Sequence, residues 1–239
     1  MGSLSGQRVV VVGGSSGMGL GCAEAAAAQG AEVIIVSRNQ EKLDAAAAGI
    51  KGNVKSLAVN IKDEEQVEQF FSNLGELDHL VVTASSTAMA PFVKMESGAA
   101  KNFFDTKFWG AFYCAKYAAP LLAKTGSITF VSGVASRRPM KGLSVAGACN
   151  GALESLAKSL ALELAPIRVN TVSPGLVDTP LYAKMPEDQR NSMYEATAKM
   201  LPAGRVGTSE DVGGFILSIM TNAYITGTTL DIDGGNMIA

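Results

Sequence analysis

Short apolar runs rich in β-branched residues punctuate the chain: RVVVV (8–12), AEVIIVS (31–37), VKSLAVN (54–60), HLVVTA (79–84), SITFVS (127–132), IRVNTVS (167–173) and TLDID (229–233). They are mostly continuous in hydrophobicity and not alternating, the pattern of strands covered on both faces of a sheet. Helical stretches, many of them rich in alanine, fill the intervals. Strand and helix in alternation require right-handed crossovers and a parallel sheet. The pattern predicts one α/β domain over residues 1–239, a doubly wound parallel sheet of about seven strands flanked by helices. Such sheets bind ligands beyond the carboxyl ends of their strands. The residues just after each strand are therefore the ones to read for chemistry.

The longest departure from this rhythm is 176–212, LVDTPLYAKMPEDQRNSMYEATAKMLPAGRVGTSEDV. It reads either as a flexible substrate lid lined by Tyr182, Met185, Met193 and Tyr194 or as a surface helical insertion.

Composition narrows the classes of function. With 47% hydrophobic and 18% charged residues the chain can build a sizeable core. A net charge of −2 offers no basic footprint for nucleic acid. No apolar run approaches the roughly 20 residues that span a bilayer, so neither nucleic acid nor membrane is expected as a partner. Cys22, Cys114 and Cys149 are far apart and lack metal-ligand spacing. They read as buried thiols in a reducing compartment; with no signal-like N-terminus, a cytoplasmic protein without a metal site is expected. His79, in LDHLVV, reads as an ordinary residue at a strand entrance.

The chemistry begins after the first strand. Gly13, Gly17 and Gly19 form a G-x-x-x-G-x-G turn that opens a helix. Glycine lets the backbone approach a phosphate closely, and the helix N-terminus presents free N–H groups to a pyrophosphate. The second strand ends at Ser37-Arg38. A carboxylate there would grip the ribose 2′-hydroxyl of NAD; Ser37 and Arg38 instead suit a 2′-phosphate and point to NADP(H).

Over essentially its full length the chain resembles the short-chain dehydrogenase/reductase family. The resemblance is carried by the glycine turn and by GSITFVSG (126–133), ALESLAKSLALELAP (152–166), IRVNTVSPGLVDTP (167–180), GRVGTSEDV (204–212) and YITGTTLDIDGG (224–235). It implies a cofactor lying across Gly13–Gly19, with Ser15, Ser16, Gly17 and Met18 along the turn. Asn60 and Ile61 would contact the adenine, and Thr83, Ala84 and Ser85 would lie near the ribose. Pro174, Gly175, Val177 and Thr179 would hold the nicotinamide carboxamide. The fourth strand departs from the family: Val82-Thr83-Ala84-Ser85 stands where Asn-Asn-Ala-Gly is usual.

The family's chemistry uses Asn, Ser, Tyr and Lys, with Tyr and Lys one helical turn apart. Aligning ALESLAKSLALELAP places the lysine at Asn150 and the tyrosine at Ala146. The serine then falls on Gly133 and the asparagine on Lys107. A one-residue slip recovers Ser132 but none of the others. All four positions are changed, and Asn and Lys have exchanged helices. Lys107, Asn150 and Ser132 are the candidate catalytic residues. Lys107 reads either as a replacement for the missing lysine, able to hold or move a proton, or as a partner of Asp105 or solvent. Ser85, Ser86, Ser144 and Tyr182 are further hydroxyls near the room left by Ala146 and Gly133, and read either as groups that orient a substrate or as polar wall residues.

Three classes of function follow. The chain is an NADP(H)-dependent oxidoreductase of a small molecule with a rearranged site, a non-redox isomerase or cyclase, or a catalytically silent nucleotide-binding protein. The aromatic run Phe103, Phe104, Phe108, Trp109, Phe112 and Tyr113, with the family's habit of pairing through this helix, implies a homodimer or homotetramer.

Overall fold

The computed structural model describes residues 3–183 and 185–239. The strands are β1 (Arg8–Val12), β2 (Glu32–Ser37), β3 (Asn53–Ala58), β4 (Leu77–Val82), β5 (Leu122–Val131), β6 (Arg168–Pro174) and β7 (Thr229–Ile232). They form one seven-stranded sheet in the order β3-β2-β1-β4-β5-β6-β7, and every neighbouring pair is parallel. The helices are α1 (Gly17–Ala28), α2 (Gln40–Gly49), α3 (Glu64–Ser72), α4 (Ser97–Phe104), α5 (Gly110–Ala118), α6 (Ser144–Glu163), α7 (Glu187–Met200) and α8 (Ser209–Thr221). The doubly wound α/β architecture expected from the hydrophobic pattern is present. No helix among the described residues is long and apolar enough to cross a membrane.

Successive strand residues point to opposite faces, and both faces are covered. Val9, Val11, Ile35, Val81, Val131 and Val172 pack with α1, α2 and α8. Val10, Val12, Ile34, Leu80, Phe130 and Val169 pack with α3, α5 and α6. Burial of each large apolar side chain is worth about 1.5–3 kcal/mol. Helix starts follow local chemistry: Asn39 and Asp63 accept from the backbone N–H groups of Lys42 and Gln66, and Thr208 with Asp211 completes a capping box on α8.

Several boundaries differ from the hydrophobic runs. β3 ends at Ala58 because the chain turns at Asn60, whose carbonyl accepts the Asp63 N–H. β5 begins five residues early, at Leu122, and pairs with β4 across an irregularity between Leu77 and His79. His79 is no ordinary residue of a strand entrance. It is 3% exposed, held between Ser127 Oγ and Gln7 Oε1 at 2.8 and 2.9 Å. Burial, reinforced by Arg168, pushes its pKa down to about 4, so it is a neutral core side chain.

The 176–212 segment carries a 3₁₀ turn at Pro180–Tyr182, then α7, which buries none of its side chains, and then enters α8. Residue 184 lies outside the described residues. Tyr182 and Tyr194 meet edge to face at 6.2 Å, tying the 3₁₀ turn to α7. Between α4 and α5 the chain stays helical but widens into a π turn over Asp105–Trp109, closed by the Gly110 N–H on the Asp105 carbonyl. Such widened turns insert one extra residue and re-aim the side chains they carry. This one carries Lys107.

Candidate active site

A cleft of about 400 Å³ runs along the carboxyl ends of β1, β2 and β4. Gly13, Ser15, Ser16, Gly17, Met18 and Gly19 form one wall; Ser37 and Arg38 stand at one end; Ile61, Thr83, Ala84, Ser85 and Thr179 line the rest. The glycines are required by close approach. A Cβ on Gly13 would lie 2.5 Å from Thr83 Oγ1, and one on Gly19 would overlap the Gly13 carbonyl. Thr83 is fixed there because its hydroxyl donates to the Val12 carbonyl at 3.0 Å. Thr83 thus braces the glycine turn. Helix α1 opens at the cleft, so its first N–H groups face the space where phosphate would sit.

Three cations border the adenosine end of the cleft: Arg38, Lys42 and Lys62. Lys42 and Lys62 were not singled out from the sequence. The available signal was the position of Lys42, four residues after Arg38 and in the first turn of α2. Four residues expected to touch the cofactor lie outside the cleft wall. Asn60 turns its carboxamide onto the Lys62 N–H, Val177 is buried and bridges to Gly207, Gly175 packs on Asp233, and Pro174 is buried at the end of β6.

The second half of the site lies at the end of β5, where α6 and the π turn converge. Lys107 is 8% exposed, and its Nζ donates to the Ser132 carbonyl at 2.8 Å. It meets neither Asp105 nor bulk solvent. Burial lowers its pKa to about 8, with Cys149 and Glu154 opposing that shift. Asn150 is also buried; its Nδ2 donates to the Gly133 carbonyl at 3.1 Å, and its Oδ1 has no hydrogen-bond partner among the described residues. Lys107 and Asn150 therefore address consecutive carbonyls just beyond β5. Orphaned acceptors buried like this are rare and invite a donor.

Ser132 is brought to this cluster, but its hydroxyl is not turned to a substrate: it donates to Glu154 Oε1 at 2.8 Å in the core. The remaining hydroxyls divide. Ser85 Oγ donates to the Ser86 carbonyl, Ser86 Oγ is buried without a partner among the described residues, and Ser144 is an exposed first residue of α6. Ala146 lies in an apolar patch with Ala88, Met95, Phe103, Phe104 and Phe108. Cys149 is buried, and burial pushes its thiol up to about 11, which leaves it a weak nucleophile.

A parallel sheet with a glycine turn at its first crossover defines a dinucleotide-type Rossmann protein. Residues 12–236 match the family model described as enoyl-(acyl carrier protein) reductase. The short-chain dehydrogenase/reductase ucsE of an Acremonium species is 34% identical, the alignment covering 97% of this chain and 95% of that protein. A small-chain dehydrogenase solved in complex with NADPH superposes with a TM-score of 0.86 at 40% identity, covering 98% of this chain and 99% of the other. The MalC reductase/Diels–Alderase of Malbranchea aurantiaca superposes with a TM-score of 0.91 at 27% identity over 99% of this chain and 98% of the other. The chain belongs to the short-chain dehydrogenase/reductase family, a family of oxidoreductases.

Proposed function

We propose that this protein is an NADP(H)-dependent oxidoreductase of a small carbonyl or alcohol in which Lys107, and not a tyrosine, holds or moves the proton. The observation that carries the reading is the position of Lys107: a buried ammonium at the carboxyl end of β5, beside the helix whose acid position is Ala146.

The residues present fit the cofactor. The glycine cradle would hold its pyrophosphate, Thr83 and Ser85 its ribose side, and Ser37, Arg38 and Lys42 its 2′-phosphate. When bound, NADP(H) supplies or accepts a hydride. Around it, this chain's residues exclude water and orient the reactant, which is where much of the rate of such a reaction arises. A lysine whose pKa lies near 8 divides its population between both protonation states close to neutral pH, as a general acid or base should. The apolar surroundings of Ala146 favour a substrate with an apolar face. Three buried thiols suit a cytoplasmic location, and exposed aromatic surface on the π turn suits a homo-oligomer.

Oxidation of NADPH by a panel of ketones and aldehydes, compared between wild type and Lys107→Met, tests the reading. Loss of about 10²–10⁴ in turnover with the variant supports it. Turnover untouched by the variant removes Lys107 from the chemistry. Conversion of a substrate with NADPH bound but not consumed favours the non-redox reading, which the emptied Ala146 and Gly133 positions also suit.

A further inference from the structure

We propose that Glu154 is the positioning residue and counter-charge of Lys107, joined to it through Ser132. The inference rests on the reading of Lys107 given above and assigns a role to a carboxylate one helical turn beyond Asn150 on the same face of α6.

The geometry runs through one residue. Ser132 offers its carbonyl to the Lys107 ammonium at 2.8 Å and donates its hydroxyl to Glu154 Oε1 at 2.8 Å. Ser136, in the 3₁₀ turn that follows, donates to the same carboxylate oxygen at 2.7 Å. Glu154 therefore pins both sides of Gly133 and fixes the carbonyl on which Lys107 rests. A shift of Ser132 would move the ammonium with it.

Charge points the same way. A buried cation in a low-dielectric interior needs an anion close by. The groups that face Lys107 are Phe103 on its own helix and Cys149 and Glu154 on α6. The Cys149 thiol, held near 11, is neutral throughout the range in which Lys107 titrates. That leaves Glu154 as the standing negative charge. Arg137 lies 3.8 Å from Glu154 Oε2, but it forms a two-pronged pair with Asp231, and Asp233 also acts on it. Its charge is thus shared among several carboxylates.

Lysine-selective NMR titration of the intact protein, with the Lys107 signal assigned by its loss in Lys107→Met, reads the proposal without any substrate. Glu154→Gln keeps an acceptor for both serines and removes the charge. Its Lys107 midpoint should fall by at least about one unit, while Glu154→Asp should restore most of the shift. An unmoved midpoint in folded Glu154→Gln overturns the proposal. Should that variant not fold, Ser132→Ala serves instead: it keeps the carbonyl that holds Lys107 and cuts the hydroxyl link to Glu154, so the midpoint should move, and an unmoved midpoint overturns the proposal. The pH profile of turnover then separates the two readings. A profile that moves with the midpoint supports both. A midpoint that moves beneath a fixed profile upholds the counter-charge and rejects Lys107 as the proton-handling group.

Discussion

Single side chains carry the two claims most open to test. Arg38 stands at the adenosine end of the cleft with no carboxylate at the end of β2. A charge-assisted hydrogen bond is worth about 1.5–3 kcal/mol, so Arg38→Ala should weaken NADPH roughly 10- to 100-fold and NADH little, read by fluorescence titration. Equal losses for both cofactors would remove the 2′-phosphate argument. Lys107 gives a prediction about stability. Its folded pKa, about 8, lies below its ordinary 10.5. The unfolded chain therefore binds the extra proton between these values, and stability rises as pH rises from about 8 to 10.5. At pH 7 the buried charge is a burden on the order of 3 kcal/mol. Lys107→Met removes it and leaves the Ser132 carbonyl without its partner, at a cost of about 1–3 kcal/mol. Thermal melts at pH 7 should place the variant within a few degrees of wild type or above it, although turnover falls. Lys107 and Asn150 were legible in the sequence as candidate residues. The direction of the Ser132 hydroxyl was not, because it depends on Glu154, 22 residues away.

At the level of elements, the turn after β5 and helix α6 pack against each other through Gly133 and Asn150. Gly133 has φ +156°, and a Cβ there would stand 3.1 Å from Asn150 Nδ2. Gly133→Ser should therefore strain the backbone and crowd Asn150, lowering stability by about 1–3 kcal/mol. Urea melts check this, and Asn150→Ala in the same chain should recover part of the loss by removing the crowding. A Gly133→Ser variant as stable as wild type would show that the turn relaxes freely. The π turn belongs to this scale as well. From sequence, the aromatic run from Phe103 to Tyr113 reads as part of one helix. A π turn depends on which backbone carbonyl meets which N–H, and the side-chain pattern does not encode that choice. Thr106, whose hydroxyl donates to the Asn102 carbonyl, is its one local trace.

Assembly and acid stability are properties of the whole molecule. Trp109 is 43% exposed and stacks with Tyr113, and Leu162 on α6 is 81% exposed. Side chains of this size left open on neighbouring helices suit burial against a second copy. Light scattering at micromolar concentration should give a dimer or tetramer; a monomer would reject the assignment. In the core, His79 stays neutral in the folded state down to about pH 4, whereas the unfolded chain protonates it near 6.5. Its contribution is intact above about 6.5 and declines as pH falls toward 4, by on the order of 3 kcal/mol. His79→Gln can keep hydrogen bonds to Ser127 and Gln7 without titrating. Melts at pH 7 and pH 4.5 should show a smaller drop for the variant than for wild type.

The sequence by itself determined the sheet, its parallel sense and the glycine turn, and it named Lys107 and Asn150 as candidates. Each of these rests on local identity or on hydrophobic periodicity, which act over a few residues. Tertiary structure decided the rest: that Lys107 points inward, that Lys107 and Asn150 meet the consecutive carbonyls of Ser132 and Gly133 just after β5, that Ser132 belongs to Glu154, and that His79 is buried between β1 and β5. These facts depend on which groups lose water together when distant segments pack. A buried polar atom takes whatever partner the fold places within reach, and that partner is fixed by packing in space.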